Sequence, residues 1–416
     1  MEKTEMAQEY PTKIQIQEGI EMLLSHTEKK EAEIIETESA YGRILAQEIK
    51  SQENIPPFDR SPYDGYAIRS VDVASAFHDR PVTLKIIEEV PAGHAPVKEV
   101  GPQEAVKILT GAPVPKGADA VVKYEDTSFD EKEVCFFSPV SSGSNIVKAG
   151  EDIKKGEIVL HPGQVLDPAA VGMLAGMGYS RVSVYKKPIV KIISTGDELL
   201  EIDSELAPGK IRNSSAYMLK GFLGEWGLQA DIYGIVKDDT DAICSAICAC
   251  MEDADLVITT GGASVGDYDL VLEALEKAKA RVLFWKVAMK PGMATLAAVR
   301  DGKMILGLSG NPSAAAAALF LLGIPVFRKM CGRENWEVSR IPVCLPDGFP
   351  KGSPGGRILP GTLQFRDGQV CINTQKHQAN GMISPWSNCN VIGLIPKGAG
   401  PLEPGSIIEG LYLEEG

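Results

Sequence analysis

The feature that most constrains the fold is a regular alternation of apolar runs and amphipathic stretches over residues 188–330. "PIVKIISTG", "LQADIYGIVKDD", "ADLVITTGG", "ARVLFWKVAMKPG" and "KMILGLSG" predict strands. "SSAYMLKGFLGEWG", "TDAICSAICACMED", "YDLVLEALEKA" and "NPSAAAAALFLLGIPVF" predict the helices that follow or separate them. Such an order implies right-handed crossovers and a mostly parallel sheet. Ligands on sheets of this kind bind beyond the carboxyl ends of the strands.

Four of the predicted strands end alike, in "STGDELL", "VKDDTD", "TTGGASVGDYD" and "LSGNPSAA". Small residues let the backbone approach a ligand, and the N–H groups of a following helix suit an anion. The same turns carry Asp197, Glu198, Asp238, Asp239, Asp267 and Asp269. Carboxylates beside a phosphate repel it unless a cation lies between, so Mg²⁺ held by one or two of them fits. Lys286 and Lys290, in "WKVAMKPG", add positive charge at or beyond another strand end. Any one of these acids could be an ordinary turn or cap residue. Together with both lysines they point to a nucleotide- or phosphoester-like site. The pattern G-x-x-x-x-G-K-[ST] is absent, so the site has no P-loop.

Around this region the pattern changes. Residues 13–48 predict one helix with helical apolar spacing and then a short one led by Glu38 and Ser39; "NIPPFDRSPYDGYAIRS" follows as a turn-rich linker. Alternating segments between Gly/Pro turns over 82–150 predict a small β-rich unit. A helix is expected from about 167 to 177, and the short strands after about 335 predict a small barrel. Hydrophobic content of 44% and charged content of 24% fit a globular chain. No apolar run is expected to reach the roughly 18 residues that cross a bilayer, and the polar start "MEKTEMAQEYPTKIQ" does not resemble a signal peptide. A cytoplasmic protein without a membrane partner is expected. The net charge of −14 excludes a general nucleic-acid binder but leaves room for a local basic pocket. Three of the eight cysteines cluster in "CSAICAC". A metal there would need a fourth ligand and a turn, so they are read as small buried side chains and the others as reduced thiols.

"SPYDGYA", "ILTGAPVPKGADAVVKYED", "AGEDIKKGE", "STGDEL", "GKIRNSS", "TTGGASVGDYD", "KPG" and "GLSGNPSAA" occur in an order and spacing that resemble the MoeA family of molybdopterin molybdenumtransferases, whose relatives include the E domain of gephyrin and its plant counterpart. The resemblance runs nearly end to end. It implies a MogA-like three-layer α/β unit over residues 188–332 and a discontinuous N-terminal linker unit of residues 1–52 and 147–187. It further implies an inserted β-rich unit over 53–146 and a C-terminal β-barrel over 333–416. The implied activity is insertion of molybdate into adenylylated molybdopterin with Mg²⁺-dependent release of AMP, in a homodimer whose cleft is shared between subunits. The implied catalytic residues are Asp64, Thr110, Glu198, Asp238, Asp269, Lys286 and Lys290. Of these, Glu198, Asp238 and Asp269 would hold the metal, and Asp64 and Thr110 would reach the site from the partner. Asp152, Gly261, Gly262, Ser264, Gly310, Asn311, Pro312 and Ser384 would bind the pterin nucleotide. The dithiolene sulfurs belong to the substrate, so no catalytic cysteine is required. A MogA-like adenylyltransferase and apo-molybdoenzymes are the expected partners.

The chain departs from the family pattern at three places. "KPGMA" has Met293 and Ala294 where a lysine and a proline are usual, so a cation and a rigid turn are missing there. Tyr63 replaces a methionine, an expected packing change, and "NGMISPW" has Pro385 in place of a serine. The retained carboxylates and lysines favour a working insertase for molybdenum or tungsten. "KPGMA" favours a non-catalytic carrier or scaffold, or a changed oxyanion. A third reading, an adenylyltransferase, disagrees with the additional terminal units.

Overall fold

The computed structural model describes residues 10–262, 270–353, 355–375 and 378–413. The strand–helix alternation forms a seven-stranded sheet. Its strands are β1 (Thr12–Ile14), β2 (Ile189–Thr195), β3 (Gln229–Val236), β4 (Leu256–Thr260), β5 (Arg281–Val287), β6 (Leu296–Arg300) and β7 (Lys303–Leu308). Their spatial order is β1-β5-β6-β7-β4-β2-β3. All run parallel except β6, which is antiparallel to both neighbours. β6 was not expected from sequence. The signal for it is the "DG" turn ahead of β7: Asp301 and Gly302 both take positive φ, 52° and 74°, as a two-residue hairpin turn requires.

Six helices cover the sheet: α1 (Ile16–Ser25), α2 (Ser215–Glu225), α3 (Thr240–Asp253), α4 (Leu270–Lys277), α5 (Pro312–Ala318) and α6 (Ile324–Met330). Strand residues alternate between the two faces, as a period of two demands. Val190, Ile192, Leu256, Ile258, Met304 and Leu306 pack under α1, α2, α5 and α6. Ile193, Val257 and Ile305 pack under α3 and α4. The result is a three-layer α/β unit. A π-helical turn, Leu319–Gly323, joins α5 to α6, so Pro312–Met330 is a continuous 19-residue apolar helix. That corrects the expectation that no run reaches spanning length. The run is apolar because it lies inside the protein, where 89% of its most apolar 18-residue window is buried.

β1 and α1 belong to this sheet, not with the rest of 1–52. β1 pairs with β5, Thr12 opposite Trp285 and Ile14 opposite Val287, and Ile20, Leu23 and Leu24 of α1 join the sheet's core. The short helix expected after Glu38 is also corrected. Ala32–Glu36 is a strand paired antiparallel with Arg181–Tyr185, and Thr37–Ser39 is a single 3-10 turn. Gly42, at φ 70°, then turns the chain so that Ile44 and Leu45 bridge to Val165 and Val184. The helix expected near 167–177 is Pro168–Gly176, its N-terminus capped by Asp167, whose Oδ1 accepts from the Ala170 N–H at 2.7 Å.

Residues 65–136 hold a second sheet of six strands, in which Gly65–Ile68 lies between Glu104–Ile108 and Ala120–Lys123. At the C-terminal end, Arg340–Leu345, Gly356–Arg366, Gln369–Thr374, Val391–Ile395 and Ser406–Tyr412 close into a five-stranded barrel, because Gly356–Arg366 pairs with both Gln369–Thr374 and Val391–Ile395. The two-residue strand Met289–Lys290, just beyond β5, adds to the barrel at Gly356–Arg357 and ties it to the sheet.

Candidate active site

The four similar turns leave four adjoining strands, β7, β4, β2 and β3, all from the same edge of the sheet. Their closeness is steric as well as topological. Gly261 has φ 92°, and a Cβ there would stand 2.1 Å from the Thr195 carbonyl oxygen. At Gly262, with φ 65°, it would stand 2.7 Å from Val271 Cγ2 and 2.9 Å from Thr195 Oγ1. Gly310 backs directly onto Gly261, with a built Cβ 3.3 Å from its Cα. Only glycine allows the ends of β2, β4 and β7 to meet.

Beneath these glycines runs a buried polar row. Thr260 Oγ1 donates to Ser194 Oγ (3.2 Å), and Ser194 Oγ donates to Asn213 Oδ1 (3.2 Å). The same Oδ1 accepts from the Ala216 N–H at 3.4 Å, at the start of α2. Asn213 Nδ2 and Thr195 Oγ1 are buried and have no partner. Thr195 Oγ1 lies against the Gly261–Gly262 turn, and Thr259 Oγ1 on β4 is a third buried atom without a partner. Neither Asn213 nor Thr195 was picked out from sequence. The only hint was an asparagine immediately before the serines that open a helix.

The carboxylates separate by role. The Asp197 and Asp238 turns clasp each other, each backbone N–H donating to the other's carboxylate at 3.4 Å. Partial burial, then the like charges of Asp197 and Glu198, raise the Asp238 pKa above its ordinary value against the lowering effect of the Asp197 N–H. Glu198 folds back over Gly196, its Oε2 only 2.6 Å from where a Cβ would be. Asp239, by contrast, caps α3 through the Ala242 N–H at 2.8 Å. Ser264, Asp267 and Asp269 lie outside the described residues. Among those described, no three carboxylate, His or Cys side chains gather closely enough to enclose a metal ion. Asp238 and Glu198 are therefore the two described candidates, and they suit an ion that keeps most of its waters, as Mg²⁺ does.

Lys286 is the penultimate residue of β5, at φ 68°, with its ammonium 3.7 Å from the centre of the Trp285 ring. Lys290 is exposed, in the short strand shared with the barrel. The barrel also reaches the start of α5. The Ser313 N–H donates to the Asn380 carbonyl (3.0 Å), and Trp386 Nε1 donates to Ser313 Oγ (2.8 Å). Asn311 and Pro312 lie at this junction; Ser384 is exposed beside it and donates to Gln375 Oε1 at 3.1 Å.

Asp64 and Thr110 form a tight pair elsewhere, on the second sheet. The Thr110 N–H and hydroxyl both donate to Asp64 Oδ1, at 2.7 and 2.8 Å, and these bonds hold the Asp64 pKa below its ordinary value. Among the described residues no hydrogen bond or ion pair joins this pair to the strand-end turns. Asp152 sits in a third place, where its N–H donates to the Ile55 carbonyl at 3.0 Å.

Two family descriptions match the chain: "MoeA N-terminal region (domain I and II)" over residues 14–178, and "Probable molybdopterin binding domain" over residues 191–329. A molybdopterin molybdenumtransferase of Staphylococcus aureus is 38% identical over 401 residues, covering 96% of each chain. The chain belongs to the MoeA family. A Staphylococcus epidermidis molybdopterin molybdenumtransferase is 35% identical over 410 residues, 98% of each. The crystal structure of a MoeA protein from Pyrococcus horikoshii superposes with a TM-score of 0.81 at 31% identity, covering 96% of this chain and all of that one.

The three departures from the MoeA pattern each have a local structure. Met293 is 40% exposed, while its carbonyl accepts from Val287 and Thr295 at 3.0 and 2.9 Å. Thr295 Oγ1 donates to the Gly292 carbonyl at 2.7 Å, so backbone and hydroxyl bonds hold the turn in place of a second proline. Tyr63 is more than a packing change: Lys123 Nζ lies 4.0 Å from its ring centre, a cation–π contact a methionine lacks. Pro385 is buried in the 3-10 turn that presents Trp386 to Phe320, ring centres 5.3 Å apart.

Proposed function

We propose that this member of the MoeA family transfers molybdenum from molybdate to adenylylated molybdopterin and releases AMP. The observation that carries the reading is the convergence of the glycine turns that end β2, β4 and β7 at the carboxyl edge of the sheet, with Asp197, Glu198 and Asp238 in the adjoining turns. The Gly261–Gly262 turn and the start of α5 bind the nucleotide end of the substrate, with Asn311, Pro312, Gly310 and Ser264 around it. Lys286 and Lys290 neutralise charge as the phosphoanhydride breaks. Asp238 and Glu198, with Asp269 as a third, would hold Mg²⁺, and the raised Asp238 pKa supports a cation there. When bound, that ion would supply positive charge between these carboxylates and the diphosphate.

Asp64 and Thr110 enter from a second copy of the chain in a homodimer. Thr110 keeps the Asp64 carboxylate ionised and aimed. Asp152 and Ser384 contact the pterin and oxyanion side. The working units are 53–146 for the inserted sheet, 188–332 with β1 and α1 for the α/β unit, 333–416 for the barrel, and the remainder as linker. The setting is the cytoplasm, with an adenylyltransferase upstream and apo-molybdoenzymes downstream.

A second reading, a carrier that binds the pterin without turnover, or an insertase preferring tungstate, draws on one observation. Met293 puts an uncharged, exposed side chain three residues after Lys290 in the chain. Single-turnover AMP release with Mg²⁺, with molybdate or tungstate, separates the readings. Oxyanion-dependent release by the natural protein supports the insertase, and the faster oxyanion names the metal. Pterin binding without release, restored by Met293→Lys, supports the carrier.

A further inference from the structure

The first turn of α5 meets three other parts of the chain. Gly310, just before it, backs onto Gly261 at the end of β4. Gly292, in the turn after Lys290, packs on it so closely that a Cβ there would stand 3.3 Å from the Ala314 carbonyl oxygen. The barrel segment 379–386 is the third. Its Asn380 carbonyl accepts from the Ser313 N–H at 3.0 Å, and a Cβ on Gly381 would stand 3.7 Å from Asn311 Oδ1. The glycine turn, the lysine turn and the barrel thus come together at Asn311–Ala314.

A side-chain bond fixes the barrel segment to this point. Trp386 Nε1 donates to Ser313 Oγ at 2.8 Å, and the two residues are buried, 3% and 4% exposed. The indole ring stacks on Phe320, in the turn that continues α5, with centres 5.3 Å apart and planes at 22°, and meets Phe222 of α2 edge-on at 6.3 Å. Stacking alone tolerates sliding and rotation of the ring. A buried indole N–H that must reach its acceptor does not. The residues that precede Trp386 have the opposite character. Gly381, Ile383 and Ser384 are exposed. Ser384 is held to Gln375, donating through Oγ to Oε1 at 3.1 Å and accepting at its carbonyl from Nε2 at 2.9 Å. A buried pivot therefore carries an exposed polar loop beside the start of α5.

We infer that the Trp386–Ser313 bond is a positioning contact: it sets the barrel loop 380–384 against the start of α5 and thereby sets the affinity for the oxyanion. The inference rests on the function proposed above, in which Ser384 serves the pterin and oxyanion side and α5 the nucleotide end. Trp386 is buried among apolar rings and acts through the loop, not on substrate. Losing the bond should separate the two sides of the site, weakening the oxyanion and sparing the nucleotide.

Trp386→Phe keeps a stacking ring and removes the N–H, and Ser313→Ala removes the acceptor. Asp167→Ala, which uncaps the helix Pro168–Gly176, is the control for lost stability alone. Single-turnover AMP release from adenylylated molybdopterin with Mg²⁺ is followed in the full-length protein over a series of molybdate concentrations. The molybdate half-saturation should rise about fivefold in Trp386→Phe and in Ser313→Ala, the size of one lost hydrogen bond. The double variant should show no further rise, because both act through the same bond. The rate at saturating molybdate and the Kd for adenylylated molybdopterin should each change by less than about twofold, since the nucleotide contacts are untouched. An unchanged half-saturation, equal weakening of both substrates, or the same rise in Asp167→Ala would overturn the inference. If the natural protein releases no AMP, the proposed function fails and amide hydrogen exchange decides the positioning contact by itself. Exchange over residues 379–386 should quicken in Trp386→Phe and Ser313→Ala but not in Asp167→Ala, and unchanged exchange in the first two overturns it.

Discussion

At the scale of single residues, the strand-end site rests on positions where one added methyl group has sharply different consequences. Gly209 and Gly261 both have positive φ, 76° and 92°, but a Cβ at Gly209 meets nothing within 4 Å. Gly209→Ala should therefore cost only the conformational penalty, about 1 kcal/mol. Gly261→Ala adds a collision with the Thr195 carbonyl and should cost about 3 kcal/mol or more. Urea midpoints of the two variants measure the difference, and a similar shift in both would mean the sheet edge is looser than its geometry. The two perturbed aspartates make opposite predictions. Bonds from Thr110 lower the folded Asp64 pKa, so its stabilising contribution is complete above the unfolded value of 3.8 and is lost as pH falls through the folded one. Thr110→Val removes the hydroxyl bond and should move the Asp64 midpoint part of the way back up, followed by carboxyl ¹³C NMR. Asp238 has a raised folded pKa. Its charge works against the fold, which gains stability as pH falls through that folded value. Added Mg²⁺, or Glu198→Gln, should bring the Asp238 midpoint down. A midpoint indifferent to Mg²⁺ would remove these carboxylates from the metal site.

At the scale of elements, the two ends of the sheet helices separate scaffold from site. Asp239 shares a turn with Asp238 but caps α3, so Asp239→Ala should cost about 1 kcal/mol of stability and leave the Mg²⁺ response of Asp238 in place. Trp386→Phe removes the Nε1 bond to Ser313 and should cost about 1–2 kcal/mol, seen as a lowered unfolding midpoint. These cases explain how much the sequence discloses. Strands and helices from 188 to 330 were legible because each has its own period and its own glycine stop. β6 was hidden because it is only five residues long and its signal is one two-residue turn, Asp301–Gly302, between it and its hairpin partner. β1 and α1 were assigned to the wrong unit because their partners lie near residues 285 and 322, and nothing local encodes that distance. The turn carboxylates and glycines of the proposed site stand at the strand ends where composition placed them, and their roles are part of the proposal. Thr195 and Asn213 were not picked out, since a missing hydrogen-bond partner exists only once the chain has folded.

At the scale of the whole molecule, the principal question is how the two separated halves of the proposed site act together. Asp64 and Thr110 stand on the second sheet, and Asp238, Glu198 and the glycine turns on the first. In the proposed homodimer the halves meet across subunits, which complementation can test. Asp64→Asn and Asp238→Asn are each expected to abolish AMP release when alone in a dimer. If each site takes Asp64 from one subunit and Asp238 from the other, a mixed dimer has one site carrying both lesions and one carrying neither. Reassortment of equal amounts makes half of the dimers mixed, so about a quarter of the natural activity should return, by the two-fold symmetry of such a dimer. If both residues serve one site within the same subunit, every site in every mixture carries one lesion, and no activity returns however completely the subunits exchange. Subunit exchange followed by native mass spectrometry verifies that mixed dimers formed. A silent mixture containing them would assign Asp64 and Asp238 to one chain, and would require the second sheet to move onto the strand ends within that chain.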